Sequence, residues 1–557
     1  MIIGLDMGGT HIDAVIMQDG KIINVVKNPT NYDDLFLSIW TTLKELLEGI
    51  DKSAIKKINL STTISTNAIV ENTTANVGMI IQSGPGLPNG HLAVGHKNVF
   101  INGYTDHRGQ IVGSIDTKEI NDAIALFNDE RIDDVAIVTK FSTRNPTSEL
   151  EITKLVSKHI HKITLGHKTS GKLNFPRRVN TSYLNAAVYD TFSSFSDNIK
   201  LALEKEGIQA PIAILKADGG IMSIDSAKDM PVETILSGPA ASLMGIYALL
   251  DTTQDAVLLD IGGTTTDIFF LADGIPLFEP VGIKIDKYKT LVRSIYSVSI
   301  GLGGDSSITV EDNKLKIGPR RQGEPFALGG PVATPTDAMI VLGKLDIGDK
   351  TLAKEALSQL ATDLELSIDE VADEILDTMA RMIKEKVDEL LTEINSKPVY
   401  TVKELLHGKK LVPQSVNMIG GPAKVLAPLL EKEFNITCNY PQYYKVANAI
   451  GAALAKITTE INLLADTSRG TLSVPELGVY EKINRNYSVS SARGRALELL
   501  TERAISMGAE QSDLVTEIIE ESVFNMVEGF MTKGLNIRIK AQVKPGLIHK
   551  LKGDYNA

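Results

Sequence analysis

The chain has 557 residues, of which 43% are hydrophobic and 23% are charged. This length exceeds what a single hydrophobic core usually organises, so we expect at least two domains. The formal charge of −12 disfavours nonspecific binding to nucleic acid or to an anionic membrane surface.

The sequence carries no sign of export or membrane insertion. The first residues turn polar early, unlike a secretory signal, and no apolar run approaches the ~20 residues of a membrane span. The one cysteine, Cys438, excludes an internal disulfide, as is usual in a reducing compartment. We therefore expect a cytoplasmic protein in which Cys438 is a small buried hydrophobic residue.

A segment near the N-terminus recurs in the middle of the chain. LDMGGTHID at residues 5–13 aligns with LDIGGTTTD at residues 259–267, and the same offset places Asp19-Gly20 on Asp273-Gly274. Each copy is typical of a strand, a glycine-rich turn, a second strand and an Asp-Gly hairpin turn. Because two separate landmarks keep one register, the pattern indicates duplicated hairpins.

The remaining elements predict two α/β halves and an extension. Strands at residues 58–60 and 77–82 flank a helix at residues 65–71, and such alternation is typical of α/β domains. We place the halves at residues 1–175 and 176–457, with long helices at residues 351–396 inside the second. Residues 458–557 are predicted to form a mainly helical extension, with residues 491–529 largely helical and a strand at residues 535–543.

The paired Gly-Gly-Thr turns predict a phosphate site, since glycine lets backbone amides approach an anion closely. Two facing hairpins would hold a polyphosphate from both sides. Asp6 and Asp260 end the preceding strands and suit Mg²⁺, directly or through water. For His11, covering the hairpin is the alternative to contacting phosphate. The predicted phosphate contacts are Gly8, Gly9, Thr10, His11, Gly262, Gly263, Thr264 and Thr265.

Two further glycine-rich turns occur later in the chain. Residues 299–308 are interpreted as a third anion-facing loop, with Gly303, Gly304 and Asp305 as its contacts. Residues 418–431 predict a strand, a turn at Gly420-Gly421 and a helix, which suits backbone contact with a nucleoside.

Three histidines lie in one glycine-rich stretch. They are His91, His96 and His107. Their spacing matches no common metal-ligand pattern, so we interpret them as exposed loop residues.

These motifs resemble those of the actin, sugar-kinase and heat-shock ATPase superfamily, and more narrowly those of the hydantoinase A/5-oxoprolinase family. The resemblance implies two actin-like (ribonuclease H-like) halves around a nucleotide cleft, with ATP and Mg²⁺ as cofactors. His11 and Ile12 stand where the family usually has Phe and Thr, and LKADGG replaces its Asn-Gly-Gly form. The matching segments, in order, are GLDMGGTHID, STTISTNAIVE, LKADGG, ILSGPAAS, LLDIGGTTTDI, SIGLGGDSSI, IGPR, PTDAMIVLGKL and ANAIGAA.

The resemblance also implies ATP-dependent opening of a cyclic amide, such as 5-oxoproline or a hydantoin, through phosphorylation of its carbonyl oxygen. Asp6 and Asp267 are the implied catalytic residues. Asp267 would orient a water or a substrate oxygen, and a local turn acceptor is its alternative role. The implied substrate contacts are Thr62, Thr63, Thr66 and Asn67, although such residues also commonly cap helices and turns.

Family members often act with a hydantoinase B-type subunit, so we expect such a partner, while a homo-oligomer is also compatible with the sequence. Two other functions stay open. One is the ATP-using subunit of a ketone carboxylase, in which an enolate or bicarbonate oxygen is phosphorylated. The other is a nucleotide-driven reactivating chaperone.

Overall fold

The computed structural model describes residues 1–31, 34–250, 253–396, 410–528 and 530–551. The helices and strands of the first half occupy residues 2–249. Its strands are β1 (Ile2–Met7), β2 (His11–Gln18), β3 (Lys21–Pro29), β4 (Lys57–Thr62), β5 (Val77–Gln82), β6 (Lys97–Phe100), β7 (Tyr104–Thr105), β8 (Ile111–Gly113), β9 (Asp134–Thr139), β10 (Lys162–Leu165), β11 (Ile212–Leu215) and β12 (Ile221–Ser223). Its helices are α1 (Leu35–Leu46), α2 (Ile64–Val70), α3 (Thr117–Asp129), α4 (Thr147–Val156), α5 (Gly166–Thr169), α6 (Phe175–Ala187), α7 (Tyr189–Lys205), α8 (Ile224–Asp229) and α9 (Ser237–Leu249).

The second half begins at residue 256. Its strands are β13 (Ala256–Ile261), β14 (Thr266–Ala272), β15 (Ile275–Pro276), β16 (Lys284–Ile285), β17 (Tyr288–Lys289), β18 (Ser297–Ile300), β19 (Ile308–Glu311), β20 (Lys314–Ile317), β21 (Ser415–Ile419) and β22 (Thr437–Asn439). Its helices are α10 (Pro335–Val341), α11 (Lys350–Leu364), α12 (Ile368–Ser396), α13 (Ala423–Phe434) and α14 (Ala447–Leu454).

The main sheets of the two halves have the same topology. The first has the order β12-β11-β4-β1-β2-β3, and the second has the order β15-β14-β13-β21-β22 with β18 also paired to β14. β1 pairs antiparallel with β2 and parallel with β4, and β13 likewise pairs antiparallel with β14 and parallel with β21. The duplication read from the sequence is therefore confirmed, and it gives the ribonuclease H-like arrangement that the resemblance implies.

The Asp-Gly turns after the second strands are also duplicated. Asp19 and Gly20 have φ angles of 50° and 75°, and Asp273 and Gly274 have 49° and 75°. Two successive residues with positive φ define the tight hairpin turn whose twist suits adjacent strands. The two predicted hairpins therefore have the same turn conformation.

The first sheet extends beyond the predicted boundary at residue 175. β11 pairs parallel with β4, and β12 pairs antiparallel with β11. The chain first forms the smaller parallel sheet β10-β9-β5-β6 and then returns to complete the main sheet. A boundary at residue 175 therefore separates strands that share hydrogen bonds.

The predicted helices at residues 351–396 are confirmed as α11 and α12. Their apolar residues pack with α10 and with one face of the second sheet in a single core. Within the described residues, no helix combines the length and apolar character that crossing a membrane requires.

The prediction that residues 458–557 are mainly helical is wrong. After α14 the chain forms β23 (Glu460–Asp466), β24 (Thr471–Val474), β25 (Val479–Lys482), helix α15 (Val489–Ser506), β26 (Thr516–Glu528) and β27 (Met531–Val543). These strands make one antiparallel sheet, β25-β24-β23-β27-β26, called here the C-terminal sheet. The β-branched residues of β26 pair along β27, and this pairing overrides the helix preference of its glutamates. Gly529, where the predicted helical tail ends, lies outside the described residues.

Helices α9 and α14 cross with their backbones in contact. A methyl group on Gly451 would lie 2.3 Å from the Ala241 carbonyl oxygen and 2.4 Å from the Gly245 amide nitrogen. A methyl group on Gly245 would lie 2.2 Å from the Ala447 carbonyl oxygen. Only glycine permits this approach, which fixes α14 between the two main sheets.

We expect Gly451→Ala to lower the free energy of unfolding by about 1–3 kcal/mol, because the added methyl group forces the helices apart. The loss is measured as a lower melting temperature. Gly494→Ala in α15 is the matched control, since no atom lies within 4 Å of its added methyl group. Alanine favours a helix interior, so this control should keep or raise the melting temperature. Equal melting temperatures for Gly451→Ala and the unmodified chain would contradict the packing argument.

Candidate functional site

The two Gly-Gly-Thr hairpins have the same internal hydrogen bond. The Gly8 amide donates to the His11 carbonyl at 3.0 Å, and the Gly262 amide donates to the Thr265 carbonyl at 2.9 Å. Both turns follow a buried strand at its carboxyl end. The structure therefore presents two equivalent loops, one from each half.

The tips of these hairpins carry unused backbone amides. Within the described part of the chain, the amides of Gly9, Thr10, Gly263 and Thr264 donate no hydrogen bond. A side chain at Gly9 would meet open space. Backbone amides of a glycine turn that have no internal acceptor are suited to an anion, as the sequence predicts.

Four aspartates lie where the two sheets meet. Asp6 faces Asp13 across β1 and β2, and Asp260 faces Asp267 across β13 and β14. The side-chain amide of Asn448 on α14 donates to Asp6 Oδ2 and to Asp260 Oδ2, each at 3.3 Å. One residue therefore joins the equivalent carboxylates of both halves.

Serine hydroxyls support the same two carboxylates. Ser61 at the end of β4 donates to Asp6 Oδ1, and Ser242 on α9 donates to Asp260 Oδ2 at 2.6 Å. Burial nevertheless raises the pKa of Asp6 to about 6 and also raises the pKa of Asp260. Desolvation exceeds the effect of the hydrogen bonds in both cases, so the pair holds negative charge that lacks full compensation.

The outer aspartates differ in their neighbours. Asp13 lies opposite Lys27 of β3 and accepts a hydrogen bond from its ammonium group at 2.7 Å. Asp267 lies opposite Ser299 of β18 instead. Burial, followed by repulsion from Asp260, raises the pKa of Asp267 to about 7. Asp267 is therefore poised to exchange a proton near neutral pH. Burial also raises the pKa of Asp13, but the Lys27 ammonium group opposes this effect.

The third glycine loop supports the second hairpin. The Gly304 amide donates to the Gly262 carbonyl at 2.9 Å, and the Asp305 amide donates to the Gly263 carbonyl at 2.6 Å. The Gly303 amide donates to a serine hydroxyl of its own loop at 2.9 Å. These amides are already used, so the predicted anion-facing role is wrong for the backbone of this loop. Its geometry instead holds the second hairpin in place.

Arg321 brings positive charge towards the first hairpin from the second half. It lies 3.3 Å from Asp305. Partial burial lowers the pKa of His11, and the charges of Lys27 and Arg321 lower it further. The exposed His11 ring contacts the Thr10 hydroxyl at 3.0 Å. Basic groups from both halves thus lie near the hairpin tips, as suits a polyanion, with His11 favoured in its neutral form.

Gly420-Gly421 borders the same junction. Gly420 has a φ of 95°, and a side chain there would lie 2.1 Å from the Ile261 carbonyl oxygen and 2.8 Å from an Asp260 carboxylate oxygen. Gly421 is exposed and has open space beside it. A flat nucleoside bound beside the second hairpin would contact the backbone of this turn. That contact stays a prediction.

The predicted substrate residues are mostly engaged in structure. Thr62 is fully buried, and its carbonyl accepts a hydrogen bond from a serine hydroxyl of α9 at 2.7 Å. The Thr66 hydroxyl accepts from the backbone amide that precedes α9 at 2.9 Å. Direct substrate contact by Thr62 is therefore wrong, because no face of it is accessible. Thr63 and Asn67 are half-buried and contact each other at 3.4 Å; their role stays a prediction.

The carboxylates fit Mg²⁺ that keeps most of its water. In the described ranges, no group of three or more His, Cys, Asp or Glu side chains is arranged to hold a metal ion. His91, His96 and His107 are exposed, as their interpretation as loop residues expects. The raised pKa values of Asp6 and Asp260 nevertheless indicate buried negative charge that a cation would stabilise. Mg²⁺ typically takes one or two carboxylates and several waters.

Comparison with known protein families shows which family the chain belongs to. The hydantoinase/oxoprolinase family model matches residues 178–461, and the model of the hydantoinase/oxoprolinase N-terminal region matches residues 2–160. The chain belongs to the hydantoinase/oxoprolinase family. The family resemblance read from the sequence is confirmed.

Named relatives are distant and longer. Caprolactamase subunit alpha from Pseudomonas jessenii is 23% identical over 75% of this chain and 64% of its own length. Acetophenone carboxylase gamma subunit from Aromatoleum aromaticum is 24% identical over 62% of this chain and 53% of its own length. The chain thus spans 64% and 53% of the lengths of these two relatives.

Two solved structures share the fold. A nucleotide-free acetone carboxylase has a TM-score of 0.71 at 16% identity and covers 99% of this chain and 88% of its own. The ATP-dependent caprolactamase from Pseudomonas jessenii also has a TM-score of 0.71, at 19% identity, with coverages of 98% and 87%. At these identities the likeness confirms the predicted two-half α/β fold.

Sequence reasoning missed several residues of this site. Ser61, Ser242 and Asn448 lie inside segments that carry the family resemblance, but no pattern assigned them a role. Lys27 and Arg321 lie in no recognised motif. Their functions depend on contacts between distant parts of the chain, so only the fold reveals them.

Asp267→Asn should stabilise the protein at alkaline pH. The folded-state pKa of Asp267 is about 7 against an ordinary value of 3.8, so the native carboxylate is costly above pH 7 and the cost vanishes below about pH 4. We expect the variant to exceed the unmodified chain by about 1–3 kcal/mol at pH 8, with the difference shrinking as the pH falls. Thermal unfolding between pH 4 and pH 8 measures the difference. Asp13→Asn is the comparison variant: burial also raises the pKa of Asp13, but the variant loses the Lys27 pair, so its gain should be smaller. A difference that grows as the pH falls would contradict the assignment.

Proposed function

We propose that this chain is the ATP-using subunit of an enzyme that opens a small cyclic amide by phosphorylating its carbonyl oxygen. The observation that carries the proposal is the junction of the halves, where unused amides of two equivalent hairpins border carboxylates joined by Asn448. Membership of the hydantoinase/oxoprolinase family supports the same conclusion.

In this proposal the hairpin amides bind the phosphates of ATP, and Gly421 lies against the nucleoside. Asp6 and Asp260 would hold Mg²⁺. Mg²⁺, when bound, neutralises charge that develops on the transferring phosphoryl group. Arg321 and the exposed tips of both hairpins complete a positively polarised surface around the phosphates.

Asp267 is proposed as the group that accepts a proton. The amide carbonyl oxygen attacks the γ-phosphorus, an oxygen–phosphorus bond forms, and the bond to the β-phosphate oxygen breaks to release ADP. The amide N–H proton passes to the Asp267 carboxylate, whose pKa near 7 suits this transfer at neutral pH. Water then attacks the activated carbon, and the ring C–N bond breaks as its nitrogen takes the proton back from Asp267. A second water hydrolyses the resulting acyl phosphate to the ring-opened amino acid and phosphate.

A ketone carboxylase subunit is the second candidate. It is favoured by the similarity to acetophenone carboxylase gamma subunit and by the equal TM-scores of acetone carboxylase and caprolactamase. In that case the phosphorylated oxygen belongs to an enolate or to bicarbonate. No relative described here favours the reactivating chaperone. The relatives are named as subunits, which supports a hydantoinase B-type partner as part of the proposal. A cytoplasmic location is proposed separately, from the sequence alone.

Release of ADP by the purified chain tests the function. With Mg-ATP, we expect stimulation by at least one of ε-caprolactam, 5-oxoproline, hydantoin or N-methylhydantoin. Asp267→Asn should lower kcat about 100-fold or more, as expected for a lost proton acceptor, with ATP affinity nearly unchanged. Asp13→Asn is the matched control and should lose less. If ADP release is stimulated only by a ketone together with bicarbonate, the ketone carboxylase subunit replaces the cyclic-amide enzyme as the proposed function.

Asp6→Ala should weaken Mg-ATP binding at least about tenfold, because it removes one carboxylate from the shared pair and leaves Asn448 without that acceptor. Isothermal titration with a non-hydrolysable ATP analogue, with and without Mg²⁺, measures the change. Unchanged affinity and turnover in this variant would overturn the role given to the first hairpin.

A further inference from the structure

A cavity of about 680 Å³ lies between the first half and the C-terminal sheet. Ile537 and Ile539 of β27 pack with α15 in one core, so Arg538 between them faces the other side of the sheet. That side lines the cavity together with the loop between β7 and β8 and the start of α4. The volume is in the range of sites that hold a small organic molecule.

Positive charge predominates on the walls of this cavity, although the whole chain carries −12. Among the described residues, the carboxylates on the walls are Asp466 and Glu481. Glu481 is paired with Arg495 of α15 at 2.5 Å, and Asp466 accepts from the hydroxyl of Ser468 in its own turn at 2.7 Å. The arginine and lysine side chains on the described walls are Arg108, Arg144, Arg469, Lys482 and Arg538.

Arg144, which the first half contributes, lacks a partner for its charge. Its guanidinium Nε is buried and has no hydrogen-bond partner among the residues that the structure describes. Burial, followed by repulsion from Arg538, lowers the pKa of Arg144 to about 10, and Asp466 opposes this effect. Arg144 therefore stays charged at neutral pH beside a second cation. Such an arrangement lowers the free energy of unfolding unless an anion binds to it.

Arg538, which the C-terminal sheet contributes, is held with its terminal nitrogens free. Its Nε donates to Asn536 Oδ1 at 3.2 Å, and its guanidinium carbon lies 5.5 Å from the centre of the Phe524 ring. In the described part of the chain, no acceptor contacts its two terminal nitrogens. A second cavity of about 320 Å³ is also lined by Arg144 and Arg538, so both guanidinium groups border open space.

Hydrogen bonds tie the two sides of the larger cavity together. The guanidinium group of Arg469, in the turn between β23 and β24, donates to the Arg108 carbonyl oxygen. The side-chain amide of Asn145 donates to the Gly109 carbonyl oxygen at 2.9 Å. These contacts hold the walls in place before a ligand arrives, which reduces the entropy that binding costs.

Apolar side chains form another part of the wall. Leu150 of α4, Tyr480 of β25 and Phe524 of β26 all line the cavity. They are 42%, 38% and 52% exposed, respectively. A ligand with an apolar body would remove this surface from water, whereas an inorganic anion would not.

We propose that this cavity binds a small organic dianion, which Arg144 and Arg538 hold while its apolar body lies against Leu150, Tyr480 and Phe524. Phosphate monoesters and dicarboxylates share this chemistry, because each presents several acidic oxygens to two guanidinium groups. The site lies apart from the hairpins and Asp267, none of which lines the cavity, so the inference is independent of the proposed function. A bound dianion joins the first half to the C-terminal sheet and therefore stabilises their contact.

The test uses 1-naphthyl phosphate and naphthalene-2,3-dicarboxylate as probes and 1-naphthol as the neutral counterpart. Binding to the full chain is measured by isothermal titration at pH 8, with Mg²⁺ and excess non-hydrolysable ATP analogue present to occupy the candidate phosphate site. Arg144→Gln and Arg538→Gln are the cavity variants. Arg485→Gln is the matched control, since Arg485 is exposed and does not line the cavity.

Each cavity variant should raise the Kd of the bound dianion about 10- to 100-fold, because charge-assisted hydrogen bonds are lost. The control should stay within about twofold of the unmodified chain. The dianion should also raise the melting temperature of the unmodified chain, and by less in the cavity variants. Without a probe, Arg144→Gln should not lower the melting temperature, because Arg144 is unpaired in the free protein.

Binding of either dianion with this dependence on both arginines supports the site, and the tighter one identifies the anionic group that it prefers. Three results would each overturn the proposal. They are absence of binding by both dianions, equal affinity for 1-naphthol, and a Kd that both cavity variants leave unchanged.

Discussion

Buried negative charge at the junction of two sheets is the constraint on which this structure depends. Asp6 and Asp260 end the central strands of the two halves, and burial raises the pKa of each. Hydroxyl and amide donors reduce this cost without removing it. Buried carboxylates whose charge is only partly neutralised lower the free energy of unfolding, but they raise the affinity of the site for a cation. Such an exchange of stability for binding is common at functional sites.

The two halves have diverged at one strand. In the first half β3 places Lys27 opposite Asp13, whereas in the second half β15 has two residues and β18 places Ser299 opposite Asp267. The backbone geometry is the same on both sides, but the cation is present on one side only. Exchange of a single neighbouring strand therefore gives one aspartate a cation that opposes the effect of burial on its pKa and leaves the other without one.

The parts of the fold that local pattern determines could be predicted from the sequence. The hairpins at Asp6 and Asp260, the helices at residues 351–396 and the Gly-Gly turns all follow from residues close together in the chain. The roles of Asn448 and Arg321 could not be predicted, because each depends on contacts with distant segments. β26 was missed for a related reason: its glutamates favour a helix locally, and pairing with β27 decides otherwise.

The candidate site shows the same division. Sequence repetition located the aspartates and the turns, yet it assigned the amides of Gly304 and Asp305 to an anion when the second hairpin uses them. It also assigned Thr62 to the substrate, although Thr62 is buried in the core. A motif gives the residue types near a site, whereas the direction of each donor depends on packing.

Asn448 has a consequence for motion. Its two hydrogen bonds reach one carboxylate from each half, and α14, which carries it, is held against α9 without intervening side chains at Gly451 and Gly245. If the halves rotate apart, Asn448 must release at least one carboxylate, and the charge on that carboxylate then loses a donor. Separation of the halves would therefore remove a donor from one buried carboxylate and raise its proton affinity.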